Sequence, residues 1–164
     1  MASELAGKGT VVSLNVSQGG VPKLPVAEAQ VTRLGMEGDR QANPNVHGGP
    51  ERALCLFSAD LIAALQAEGH PIAPGTTGEN VTIAGLDWAE VAPGTRWRLG
   101  GEVEIEITQP TTPCKTIAAS FAGGDFNRIH HARFPGWSRV YARVLREGVV
   151  RTGDPVTRVE AERG

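Results

Sequence analysis

Cysteine is scarce in this chain: only Cys55 and Cys114 occur among 164 residues, too few for a disulfide framework. Long apolar runs are missing as well. None approaches the length of a membrane span, and residues 1–9 carry no apolar core of a secretory signal. Neither sign of charge dominates. A net charge of −2 argues against broad attraction to nucleic acid or to a membrane surface. These absences predict a soluble, cytoplasmic protein with reduced thiols and neither nucleic acid nor membrane as partner. Lysine is confined to Lys8, Lys23 and Lys115. The other fixed cations are arginines, whose planar fork suits bidentate contact with phosphate or carboxylate. The sequence holds no Gly-x-Ser-x-Gly, no P-loop and no dinucleotide fingerprint. It also lacks an internal repeat and a linker of domain-separating length. One domain over residues 1–164, with its core at about 10–160, follows from the length.

What is present is an ordinary globular mixture, 40% hydrophobic and 21% charged, punctuated by 21 Gly and 11 Pro. Alternation predicts strands at 10–16, 26–34, 81–83, 96–99, 103–108, 140–145 and 156–160. The apolar run Ala53–Phe57 reads as a buried strand, with Cys55 packed in the core. Ser58 has the chemistry of an N-cap for a helix over 59–68, which Gly69 ends. Asp87 caps a short helical turn. Gly100-Gly101 joins two paired strands, and Glu147-Gly148 marks a hairpin whose return strand is 149–151. Many short strands with one or two helices predict a mainly β barrel or sandwich.

The chemistry centres on Cys114. A strand at 103–107 feeds Gln109-Pro110-Thr111-Thr112-Pro113-Cys114-Lys115, where two prolines bracket a bend. The thiol is thereby held in a rigid turn, and Thr112 or Thr116 can cap a helix that follows. Lys115 beside it, or a helix N-terminus, favours the reactive thiolate. A free cysteine is more often a small buried hydrophobe, but these polar flanks make Cys114 a poor core residue. Two further Gly-rich clusters adjoin strand ends: Gly38-Asp39-Arg40 with His47-Gly48-Gly49 and Arg52, and Gly78-Glu79-Asn80. Strand ends of a barrel converge at a mouth where ligands bind. Gly48-Gly49 permits close backbone approach to an anion, or forms a plain turn. Arg40 and Arg52 suit a phosphate or carboxylate clamp, or surface ion pairs. His47 suits a donor, proton shuttle or metal ligand, although a lone His is more often structural. Glu79-Asn80 also suits fixing the turn before its strand. His130-His131 is unsuited to chelation, since neighbours on a strand point oppositely.

Gly38-Asp39, His47-Gly48-Gly49, Arg52-Ala53-Leu54, Gly78-Glu79-Asn80-Val81-Thr82, Gly85-Leu86, Gln109-Pro110, Pro113-Cys114, Gly148-Val149-Val150 and Gly153-Asp154 together resemble the MOSC domain family, in its stand-alone bacterial form. The family takes its name from the C-terminal part of molybdenum cofactor sulfurase. The resemblance spans roughly residues 10–159. It implies a MOSC-type β-barrel with a few short helices and association with the molybdenum cofactor. It also implies that Cys114 is the molybdenum ligand, or a sulfur carrier. His47 would assist in catalysis, and Asp39, Arg40, His47, Gly48, Gly49, Arg52, Glu79, Asn80 and Lys115 would shape or bind the cofactor pocket. The activity implied is reduction of N-hydroxylated small molecules, with a separate electron donor, or sulfur transfer with a separate sulfur donor. A non-catalytic sulfur carrier or a barrel for another anionic ligand is the alternative.

Overall fold

In the computed structural model, residues 8–40 and 49–160 are described. They contain eleven strands. β1 (Lys8–Val16), β5 (Leu54–Ser58), β6 (Val81–Ala84), β7 (Arg96–Leu99), β8 (Val103–Pro110), β9 (Val140–Arg146) and β11 (Pro155–Val159) form a closed barrel. Closure comes from Lys8–Thr10 of β1 pairing with 155–157 of β11. A closed sheet has no barrel edge left unpaired, which removes the usual route to edge-to-edge aggregation. β2 (Leu24–Val26) lies against the other half of β1. β10 (Gly148–Arg151), β3 (Glu28–Thr32) and β4 (Gly35–Met36) make a separate small sheet. The mainly β barrel read from the sequence is therefore the observed fold.

Alternation explains the barrel core. Along β8, Val103, Ile105 and Ile107 are buried while Glu104 and Glu106 face outward. The outer glutamates meet arginines across the ladder, as in Arg98–Glu104 at 3.3 Å and Arg96–Glu106 at 3.4 Å. β5 is buried at every position, as the continuous apolar run requires of a strand covered on both faces. β5 and β6 run parallel, so the chain needs a crossover. Helix α1 (Ala59–Ala67) supplies it, burying Ile62 and Leu65. Ser58 Oγ accepts from the Leu61 N–H at 3.1 Å, the N-cap the sequence predicts. Gly69 has a φ of 101°, a conformation that ends the helix cheaply only for glycine. The 3-10 turn at Trp88–Glu90 is capped by Asp87 as expected.

Three local expectations need correction. The strand read over 26–34 is two strands, because the chain passes at Ala27 from β1 in the barrel to β10 in the small sheet. Val149–Arg151 does not return along β9. β8 holds one edge of β9 along 140–146 and β5 the other at 140–142; the segment joins the small sheet instead, where Val150 is buried opposite Ala29 of β3. Neither Thr112 nor Thr116 caps the helix after the bend. The residue before that 3-10 helix, Lys115–Ser120, is Cys114, and no side chain caps it.

The irregular stretch from Lys115 to Ser138 is pinned to the end of α1. Arg128 donates from Nε and Nη2 to the Glu68 carboxylate at 2.9 and 2.8 Å. Its guanidinium lies 4.2 Å from the Trp137 ring centroid and 4.4 Å from that of Phe134, a stacked fork that lysine would not reproduce. His70 Nδ1 accepts from the Ala122 N–H at 3.0 Å. The hydrogen bond from Arg128 holds the Glu68 carboxyl below its ordinary range. A lowered folded pKa gives stability present above the unfolded value and lost as pH falls through the folded one. We therefore expect Arg128→Met to melt below the wild type at neutral pH, with the gap shrinking in acid as Glu68 protonates. Melting curves at several pH values check this; a gap independent of pH would assign the loss to stacking alone.

Candidate functional site

A cavity of about 280 Å³ opens where β1, β5, β6, β8 and β9 begin or end. Its wall takes Val21 and Lys23 from the segment after β1, and Arg52 and Cys55 from the start of β5. Thr77, Gly78 and Asn80 precede β6, Thr111, Thr112 and Cys114 follow β8, and Arg139 with Tyr141 enters β9. All three clusters singled out in the sequence thus contribute to one site: Arg52 from the first, Gly78 and Asn80 from the second, Cys114 from the third.

Among the described residues, three cations line it. Lys23 is buried and its Nζ donates to Asp39 Oδ1 at 2.6 Å. The chain is close there: a Cβ on Gly75 would run into the Lys23 carbonyl, and Gly75 has a φ of 85°, so only glycine fits. Arg139 is 7% exposed, donates from Nη1 to the Thr77 carbonyl at 2.7 Å, and buries its Nε with no hydrogen-bond partner among the described residues. Arg52 stands 5.5 Å over the Tyr141 ring. With the Gln109 amide oxygen turned toward it, that oxygen accepts from Arg52 Nε at 3.0 Å and Nη2 at 3.2 Å. Gln109 of the motif before the cysteine thereby aims the arginine.

The carboxylates stand behind this wall. Asp39 does not line the cavity. Its Oδ1 accepts from the Ser17 N–H as well as Lys23, and its Oδ2 accepts from Asn80 Nδ2 at 2.9 Å. Asn80 is the joint of the site: Oδ1 accepts from the Cys55 N–H at 3.1 Å and Nδ2 also reaches the Asn15 carbonyl at 3.3 Å. Glu79 is fully buried and lies outside the lining. Burial pushes its carboxyl above the ordinary range, while hydrogen bonds from Gly75 and Thr77 oppose this.

The two thiols differ sharply. Cys114 is exposed and on the cavity wall. Its loop is anchored on both sides, by the Thr111 N–H to the Arg139 carbonyl at 2.9 Å and the Ile117 N–H to the Cys114 carbonyl at 3.1 Å. Cys55 is buried, as the sequence predicts, yet it too faces the cavity, with Sγ 3.8 Å from Thr111 Oγ1. Burial raises its pKa, against the charge of Arg139, so it is a poor nucleophile. We expect iodoacetamide to modify Cys114 in the folded protein and Cys55 only after denaturation; two equally fast thiols would contradict the geometry. Cys55→Ser puts a hydroxyl in a buried place and should cost about 1–3 kcal/mol in chemical denaturation.

Other sequence candidates fall elsewhere. Arg40 is exposed and off the cavity, with its N–H on the Ser17 carbonyl at 2.7 Å. Lys115 is exposed and absent from the lining. Gly49 precedes the 3-10 turn Pro50–Arg52 at a φ of 95°. His47 and Gly48 lie outside the described residues. His130 and His131 stack at 5.0 Å between centroids, and among the described residues no cluster of three His, Cys, Asp or Glu side chains is placed to hold a metal. The sequence reading missed Lys23, Thr77, Thr111, Arg139 and Tyr141. The only signal available for Lys23 was lysine's rarity, and for Arg139 its place at the entry of a strand.

Comparison with known proteins now decides the family. The model of the MOSC domain matches residues 43–157. The chain belongs to the MOSC family. The Bacillus subtilis protein YflK is 34% identical over 136 residues, 82% of this chain and 60% of YflK. YiiM of Escherichia coli is 36% identical over 107 residues, 62% of this chain and 47% of its own. A Gibberella moniliformis protein named "Reductase" is 29% identical over 131 residues, 77% of this chain and 23% of that one. The MOSC chain thus spans three-fifths or less of each of these relatives. The crystal structure of YiiM from Geobacillus stearothermophilus superposes with a TM-score of 0.73 at 27% identity, covering 95% of this chain and 77% of that one. The MOSC family is associated with the molybdenum cofactor, and the donor set here suits such a group. A phosphate-bearing, anionic pterin calls for cations at the wall, and molybdenum for a soft thiolate. No helix of the described residues is long and apolar enough to cross a membrane.

Proposed function

We propose that the chain holds the molybdenum cofactor in this cavity and reduces N-hydroxylated or related N-oxygenated small molecules, with electrons from a separate donor protein. One observation carries the reading: the exposed Cys114 shares a cavity with Lys23, Arg52 and Arg139, while Asp39 and Glu79 stay behind the wall. When bound, the cofactor supplies the two-electron redox change. Cys114 would hold its metal through sulfur. Lys23, Arg52 and Arg139 would balance its negative charge, and Asn80 would keep Lys23 in place through Asp39. Gly78 lies on the wall at a φ of 81°, where a Cβ would press on the Val21 side chain. His47, Gly48 and Gly49 stay candidates for binding the cofactor, with His47 assisting in proton transfer. The relative named "Reductase" favours this activity.

The test is a turnover assay on cofactor-loaded protein, with a reduced viologen dye as donor and an N-hydroxylated base as substrate. Formation of the amine is the expected result; loaded protein that reduces no N-oxygenated compound would overturn the reading. Exposure of Cys114 also suits a sulfur carrier, since a presented thiolate takes the outer sulfur of a donor protein's persulfide and releases the donor's thiolate. Sulfane sulfur on Cys114, transferable to an acceptor and without reductive turnover, would favour that second reading.

A further inference from the structure

Glu79 is the one buried carboxyl that this account leaves without a task. It is 0% exposed and makes no ion pair among the described residues. Its Oε1 accepts from Thr77 Oγ1 at 2.9 Å, and Thr77 lines the cavity. Its Oε2 accepts from the Gly75 N–H at 3.1 Å and from Thr82 Oγ1 at 2.9 Å. The titratable and charged groups around it are Cys55 on β5, Arg139 at the entry to β9 through the Thr77 carbonyl, and Lys23, with its partner Asp39, through the Gly75 carbonyl. A purely structural acceptor at this place does not need to ionise. A carboxyl one hydroxyl away from a ligand cavity is placed to exchange a proton with it, and burial favours its neutral form.

We propose that Glu79 stores a proton behind the cavity wall and passes it, through the Thr77 hydroxyl, to a group bound in the cavity. For the transfer the Thr77 hydroxyl turns from Glu79 toward the bound group; the Glu79 O–H bond then breaks as Thr77 Oγ takes that proton, and Thr77 releases its own to a basic atom of the bound group. The carboxylate left behind is stabilised by the Gly75 N–H and the Thr82 hydroxyl. Water in the cavity restores the proton by the reverse route. The proposal rests on the reductase reading. Reduction of R–NHOH to R–NH2 and water consumes two electrons, here from the separate donor protein, and two protons, of which Glu79 supplies one and solvent water the other.

The experiment has an arm that needs no cofactor. Infrared spectra of unloaded protein at neutral pH should show a carboxylic-acid C=O band that disappears in Glu79→Gln. The band should move in Thr77→Val and return in Thr77→Ser. In loaded protein, Glu79→Gln and Thr77→Val should each lower kcat about a hundredfold at unchanged KM, and Thr77→Ser should rescue the loss. Glu79→Gln keeps the side chain's shape and its acceptor oxygen, so folding should survive. Absence of the band at neutral pH, or wild-type turnover by Glu79→Gln, would overturn the proposal. Loaded wild type that reduces nothing, with the band behaving as described, would remove the reductase reading instead.

Discussion

Cys114→Ser should lose molybdenum and turnover together while the fold stays intact. The side chain is exposed, and its loop is held by backbone hydrogen bonds of Thr111 and Ile117 that a serine leaves alone. Surface substitutions of this kind change stability by less than about 0.5 kcal/mol. The melting temperature should therefore lie within about 2 °C of the wild type. The loss is chemical. A hydroxyl is harder and far less ionised than a thiol, so it neither holds a soft metal nor carries sulfane sulfur. Metal content, turnover and melting curves measured on the same preparations check this. Full metal retention in the serine variant would take Cys114 out of the site.

Asn80→Ala should be the most damaging change to the cavity itself. It removes three hydrogen bonds at once, to the Cys55 N–H, the Asn15 carbonyl and the Asp39 carboxylate. Asn80 is 3% exposed, so water does not readily replace them. A buried donor or acceptor left alone costs about 1–3 kcal/mol. The total should approach about 3–5 kcal/mol, a fall of roughly 10 °C in melting temperature for a domain of this size. The backbone bonds of Asn80 to Cys55 and Asn15, at 2.7 and 2.8 Å, survive the substitution. The barrel should therefore persist while Asp39, and with it Lys23, loses its setting. A variant that melts with the wild type would show that these bonds exchange freely with water.

The sequence made local features legible, and the reason is visible in particular residues. Ser58 caps α1 and Gly69 ends it within a dozen positions. The β7–β8 hairpin turns on Gly100-Gly101. Each is decided by residues adjacent in the chain. The pairing of β10 with β3, and the closure of β1 on β11, join segments more than a hundred residues apart. Alternation says that a strand has two edges but not what meets them. The site divides in the same way. Cys114, Arg52 and Asn80 stood out through their neighbours, whereas Arg139 is fixed by the carbonyl of Thr77, 62 positions away. Asp39 was recognised in its motif, but its task is to hold Lys23 and Asn80 from behind the wall.

We propose that this cavity, lined by Lys23, Arg52, Arg139 and the exposed Cys114, holds the molybdenum cofactor. The most direct test is the molybdenum and pterin content of protein gently purified from cells that make the cofactor. Both should be stoichiometric with the chain. Protein free of both metal and pterin from such cells, with Cys114 intact and unoxidised, would contradict the account.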